Sequence, residues 1–112
     1  MTTYFAVTRR RGPAWDSSKP MRAQVQWAEH AAFMNGLVEA GFVVLGGPLG
    51  VGEQVLLIVD AKGESDIRAR LNADPWTPLG LLELASVEPW TVLLDGRERD
   101  GQDVKAGGLT SA

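Results

Sequence analysis

The sequence predicts an α+β fold of the split βαβ type called ferredoxin-like, an antiparallel sheet with two helices on one face, ordered strand, helix, strand, strand, helix, strand. Three observations predict it. Short β-rich runs recur at Tyr4–Thr8, Phe42–Leu45, Gln54–Val59 and Leu81–Leu94. Helical apolar spacing fills two of the gaps between them. Glycine and proline punctuate the junctions. At 112 residues and 45% hydrophobic, the chain is sized for one domain with a modest core.

The first strand, Tyr4 to Thr8, runs into Arg9, Arg10 and Arg11 and then Gly12-Pro13. The basic run reads as a solvated strand end entering a turn, with an anion role as its secondary reading. After the polar Asp16-Ser17-Ser18 loop, Pro20 marks a helix start and the helix extends to about Ala40. Gly41 stands where a left-handed C-terminal cap is wanted, and the second strand, Phe42 to Leu45, follows at once. The stretch Gly46-Gly47-Pro48-Leu49-Gly50-Val51-Gly52 then leads into another strand, Gln54 to Val59. It reads as a hairpin loop; a phosphate loop would have to open a helix.

Ser65 to Ala73 reads as a short helix with Ser65 as its N-cap and Ile67 and Leu71 as its buried edge. Pro75 ends it and pushes Asp74 toward an extended conformation. The last strand, Leu81 to Leu94, contains Pro89, which implies an edge strand, a bulge or a bend. Residues 1–94 are expected to form the domain and 95–112 a polar, flexible C-terminal tail. The third strand is apolar at both parities, Val55, Leu57 and Val59 alternating with Leu56 and Ile58, so the sheet face away from the helices is hydrophobic too. A second copy packed sheet against sheet would cover it, which predicts a homodimer.

Composition narrows the chemistry. A formal charge of −3 with no basic stripe argues against a nucleic-acid partner. No apolar run approaches the roughly 20 residues that span a bilayer, and a soluble, cytoplasmic protein with no membrane partner is expected. One histidine and no cysteine exclude multi-imidazole and thiolate metal sites within one chain, and the acids are too scattered for an oxygen-rich one. No nucleophile elbow and no Walker loop is present.

What survives is a histidine paired with a carboxylate. His30 lies near the middle of the helical sector formed by Trp27, Phe33, Met34, Leu37 and Val38. An unpartnered imidazole there would cost about 1–3 kcal/mol, so a polar neighbour, a water or a ligand must meet it. Asp74, at a helix end on the same side of the sheet, is the chosen partner. Two readings stand side by side: a satisfied core histidine beside an acid that only closes its helix, or a proton-transfer pair. Gly46 and Gly47 would allow a ligand close to the backbone, and Trp76 and Trp90 would supply apolar walls, unless those tryptophans are core lids.

Four segments then fall in order: Glu29-His30-Ala31-Ala32-Phe33, Gly41-Phe42-Val43-Val44-Leu45-Gly46-Gly47-Pro48, Ala73-Asp74-Pro75-Trp76 and Val87-Glu88-Pro89-Trp90. Together they resemble the YciI-like family, also called YCII-related, over about Tyr4 to Leu93. The resemblance implies a dimeric α+β barrel, with the sheets of two subunits packed together. It also implies that the matching positions, His30 and Asp74, form a catalytic dyad. Removal of chloride from hydroxylated aromatic rings is associated with that family. Two features depart from its common pattern: Trp27 stands where many members carry a basic residue, and the connection from Arg10 to Trp15 is long.

The resulting expectation is a small enzyme of lyase or isomerase type, without a cofactor, in which His30 moves a proton on a cyclic or aromatic substrate while Asp74 orients the ring. The competing expectation is a non-catalytic dimeric module that binds a small metabolite or a protein partner in the same cavity.

Overall fold

The computed structural model describes residues 2–97. Its elements are β1 (Thr2–Arg11), a 3-10 turn (Met21–Ala23), α1 (Trp27–Glu39), β2 (Val43–Leu49), β3 (Gln54–Val59), α2 (Glu64–Asn72) and β4 (Leu82–Val92). The four strands form one sheet in the order β2-β3-β1-β4 with every neighbouring pair antiparallel. This is the ferredoxin-like arrangement.

Both helices pack on the sheet face that carries Val7, Val43, Leu57 and Val59; Leu37 of α1 and Ile67 and Leu71 of α2 join these residues in one core. In β1 the residues on that face alternate with period two, so Phe5 and Val7 are followed on the same side by Arg9 and Arg11. A bulge in β4 sits opposite the Thr8/Arg9 step, where Thr8 pairs with Ser86 and Arg9 with Leu84, leaving Ala85 as the extra residue. Pro89 is accommodated because β4 is an edge strand, and the strand runs through it unbroken, opposite Phe5.

Several boundaries differ from the sequence expectation for local reasons. The first helix begins at Trp27, not Pro20. Between them the buried Gln24 side chain bonds the Asp16 amide and the Asp16 and Lys19 carbonyls, and Gln26 takes up a left-handed φ of 56°, so this stretch serves its own loop. Gly46, Gly47 and Pro48 belong to β2, and the hairpin turn lies beyond Leu49. A Cβ at Gly46 would come within 2.8 Å of the Leu57 side chain, so a glycine there lets the two strands keep their packing. Gly63, not Ser65, caps α2, because its carbonyl accepts the first helical bond, from Ile67.

The end of α1 is as expected. Gly41 has φ of 80°, Phe42 N–H donates to Leu37 O and Gly41 N–H to Val38 O, a Schellman closure that seats Phe42 in the core beside Leu37. Of the Arg9–Arg11 run only Arg10 is solvated as expected: Arg9 is 2% exposed and Arg11 is half-buried. Of the expected tail, Asp95 to Arg97 lie beside Tyr4, Ile58 and Trp90 on the outer sheet face, and 98–112 lie outside the described residues. Among the described residues no helix is long and apolar enough to cross a membrane.

Candidate functional site

Asp74 is the centre of the polar architecture. It follows α2, is fully buried, and has Pro75 after it, so its carboxylate folds back to accept the Trp76 amide at 2.9 Å. The same carboxylate accepts from His30 Nδ1 on α1, at 3.0 Å to Oδ1 and 2.9 Å to Oδ2. From β1, Arg9 Nη1 donates to Oδ2 at 2.8 Å, and Arg9 Nη2 donates to Thr77 Oγ1 at 3.0 Å. Thr77 passes the chain on by donating to Leu71 O. Three separate elements are therefore tied through one acid.

Burial works to push the Asp74 carboxyl up, but the hydrogen bonds from His30, Arg9 and the Trp76 amide outweigh it and hold the group below its ordinary value. Asp74 is thus a carboxylate, the acceptor in each of these bonds. That fixes the proton of a neutral His30 on Nδ1 and leaves Nε2 as the basic nitrogen.

His30 lines a cavity of about 470 Å³, together with Trp76, Trp27, Met34, Gly46 and Gly47. Among the described residues Nε2 has no hydrogen-bond partner, and it is not sealed from its surroundings. Trp76 lies flat on the imidazole, ring centroids 3.8 Å apart and planes within 6°. Its Nε1–H donates to Val25 O at 2.7 Å, which locks the indole and, through it, one face of His30. Trp27 and Trp15 pack against Trp76 at 5.8 and 5.7 Å, completing an aromatic wall.

The residues singled out from sequence separate into two groups. His30, Asp74 and Trp76 come together, and Gly46 and Gly47 line the same cavity; at Gly47 a Cβ would meet nothing within 4 Å, so that stretch of backbone is open to the space. Trp90 does not join them. It is 44% exposed on the outer face of the sheet, where it borders a different groove with Tyr4, Leu45 and Ile58. Its alternation in β4 opposite Tyr4 puts it there. Val38, expected in the buried sector of α1, is 52% exposed because it stands on the cavity wall.

Sequence reasoning missed Thr77, and it gave Arg9 and Arg11 an anion role only as a secondary reading of a solvated run. Arg9 and Arg11 were signalled by parity, since they share the face of Phe5 and Val7, but a run of three arginines before Gly12-Pro13 invites a solvent reading. Among the described residues there is no cluster of three or more His, Cys, Asp or Glu side chains able to hold a metal ion.

No family model matches the chain, and no curated protein does. Among solved structures it is similar to 5-chloro-2-hydroxyhydroquinone dehydrochlorinase from Burkholderia phenoliruptrix AC1100, in a complex with 2,5-dihydroxybenzoquinone. The two are 21% identical with a TM-score of 0.48, over 83% of this chain and 97% of that one.

Proposed function

We propose that the protein is a small-molecule enzyme of lyase or isomerase type in which His30 Nε2 moves a proton on a cyclic or aromatic substrate. The observation that carries this reading is the division of labour on one ring: Nδ1 is bound to a buried carboxylate while Nε2 has no partner among the described residues, on a side chain that lines a 470 Å³ cavity. A histidine kept only for packing needs no such opening. Nε2 would take a proton from a C–H or O–H of the substrate, and Asp74 would stabilise the imidazolium so formed without itself leaving the carboxylate state. The electron pair released would either collect a proton at another carbon, an isomerisation, or expel a leaving group from the ring, an elimination. Trp76 and Trp27 suit a flat substrate, and the open backbone at Gly47 gives it room.

The test is turnover on a panel of hydroxylated and halogenated ring compounds, comparing the native chain with His30→Asn. Loss of turnover with near-UV circular dichroism unchanged supports proton transfer by His30. Turnover unchanged in the variant overturns it, and saturable binding without turnover by the native chain favours the non-catalytic module.

We propose also that two copies pair through the outer sheet face. Leu45 and Trp90 are 53% and 44% exposed there, beside Ile58 and Val92. Light scattering should give twice the chain mass, and Leu45→Glu should halve it; a monomeric native chain rejects the pairing.

A further inference from the structure

Arg11 continues the cavity face of β1 two residues beyond Arg9, but its surroundings are different in kind. Arg9 is matched by Asp74 and Thr77. The Arg11 guanidinium has no carboxylate within ion-pair distance among the described residues, and its Nε is the one buried side-chain nitrogen or oxygen there with no hydrogen-bond partner. Leaving such an N–H dry is costly, and a charged group costs more than a neutral one. The group is nevertheless held in place. Its Cζ lies 4.8 Å from the centre of the Trp15 ring, and its Nη2 sits against the hairpin turn, where a Cβ on Gly52 would be 3.6 Å away. Trp15 packs edge-on against Trp76, which lies on His30. A run of ring contacts, one edge-on and one stacked, thus links the unmatched cation to the His30 ring along one cavity wall.

We propose that Arg11 is the recognition residue for an acidic group on the ligand, and that the cavity takes a flat, ring-containing carboxylic acid whose carboxylate meets Arg11 while its ring lies toward His30. This rests on the ligand-binding reading of the cavity given above and names its substrate class. Charge and shape both favour it. Of the charged residues lining the cavity, Arg9 is already neutralised by Asp74 and Glu53 makes no ion pair with Arg11, so Arg11 is the cation left to be answered. The two Nη groups, which have no hydrogen-bond partner among the described residues and are not sealed as Nε is, offer paired N–H donors to the two oxygens of a carboxylate. Most of the rest of the lining, Met21, Met34, Val38, Val55 and the tryptophans among it, is apolar, with Asn35 the one neutral polar side chain besides His30, so the body of the ligand is apolar.

The experiment compares benzoate with its neutral isostere benzamide, titrated into the native chain and into Arg11→Gln, and read by quenching of cavity tryptophan emission. The Arg11 Nε–Hε cross-peak is followed by NMR in the native chain. Benzoate should bind about tenfold more tightly than benzamide, shift that cross-peak on saturation, and lose its advantage in Arg11→Gln. Equal affinity of the two probes, an advantage that survives in Arg11→Gln, an unmoved cross-peak, or no saturable benzoate binding would each overturn the assignment. Because the native cross-peak is read without any substitution, a variant that failed to fold would not shield the proposal. No turnover is measured, so a negative result leaves the His30 proton-transfer reading standing, and loss of that reading leaves this one to be judged on binding alone.

Discussion

Arg9 and His30 meet on the same oxygen: Asp74 Oδ2 accepts from Arg9 Nη1 at 2.8 Å and from His30 Nδ1 at 2.9 Å. A permanent cation and a histidine ring thus share one carboxylate, and both are buried. The arrangement makes the acid's charge a structural requirement as well as a chemical one.

Removing one side of the buried pair should be expensive. Arg9→Met leaves Asp74 with its charge but without its permanent counter-ion, at 0% exposure. The expected loss is about 3–5 kcal/mol, the range for breaking a buried ion pair from one side. Urea unfolding monitored by tryptophan emission measures it. A loss below about 1 kcal/mol would show that the pair behaves as a surface contact.

Acid should attack the fold at this point. Asp74 is held below its ordinary value in the folded state, so the folded protein binds fewer protons than the unfolded chain in the same range. The stability it contributes is complete above the ordinary carboxylate value of ~3.9 and drains away as pH falls through the lowered folded value. Unfolding midpoints in urea should fall on acidification below about pH 4, and Asp74→Asn, less stable at neutral pH, should show a flatter decline.

Trp76→Phe separates the two duties of the indole. An aromatic ring remains to cover His30, but Nε1–H is lost and the Val25 carbonyl loses its donor. The cost should be about 0.5–1.5 kcal/mol, seen in urea unfolding. Turnover, once a substrate is in hand, should drop with little change in KM if ring orientation is what Trp76 supplies.

Gly12→Ala tests the support behind Trp15. A Cβ at Gly12 would collide with the Gly80 carbonyl, and backbone cannot swing aside as a side chain does. The two segments are laced by Gly12 N–H to Leu81 O and Ala14 N–H to Gly80 O, at 2.9 and 3.0 Å. Separating them should cost about 1–3 kcal/mol and disturb the near-UV signal of the tryptophan cluster. Gly47→Ala, where a Cβ would touch nothing, is the control and should be near neutral in stability.

Much of this was legible in the residues. Element order, the cap at Gly41 and the buried edge of α2 follow from periodicity and backbone preference, which are local properties. The meeting of His30 with Asp74 was reachable because the apolar sector of a helix fixes where a polar residue in it must point. Arg9 was hidden for a different reason: its role depends on a carboxylate 65 positions away, and no local rule distinguishes a buried arginine from a solvated one beside two others. Trp90 shows the opposite failure. Its neighbour Pro89 resembles the Pro75 beside Trp76, but one tryptophan follows a helix and the other alternates along an edge strand, so the same dipeptide flavour leads to opposite faces. The α1 start was obscured because Pro20 is a good opening residue, and only the folded Gln24 side chain reveals that the chain is occupied elsewhere.

The flat contact between Trp76 and His30 has an optical consequence. An indole 3.8 Å from an imidazole in parallel register senses whether that ring is neutral or cationic, since a cation over the indole face draws on its π density. The emission of the intact, unlabelled protein therefore carries a gauge of its own histidine's charge, readable in solution before any reaction partner has been found.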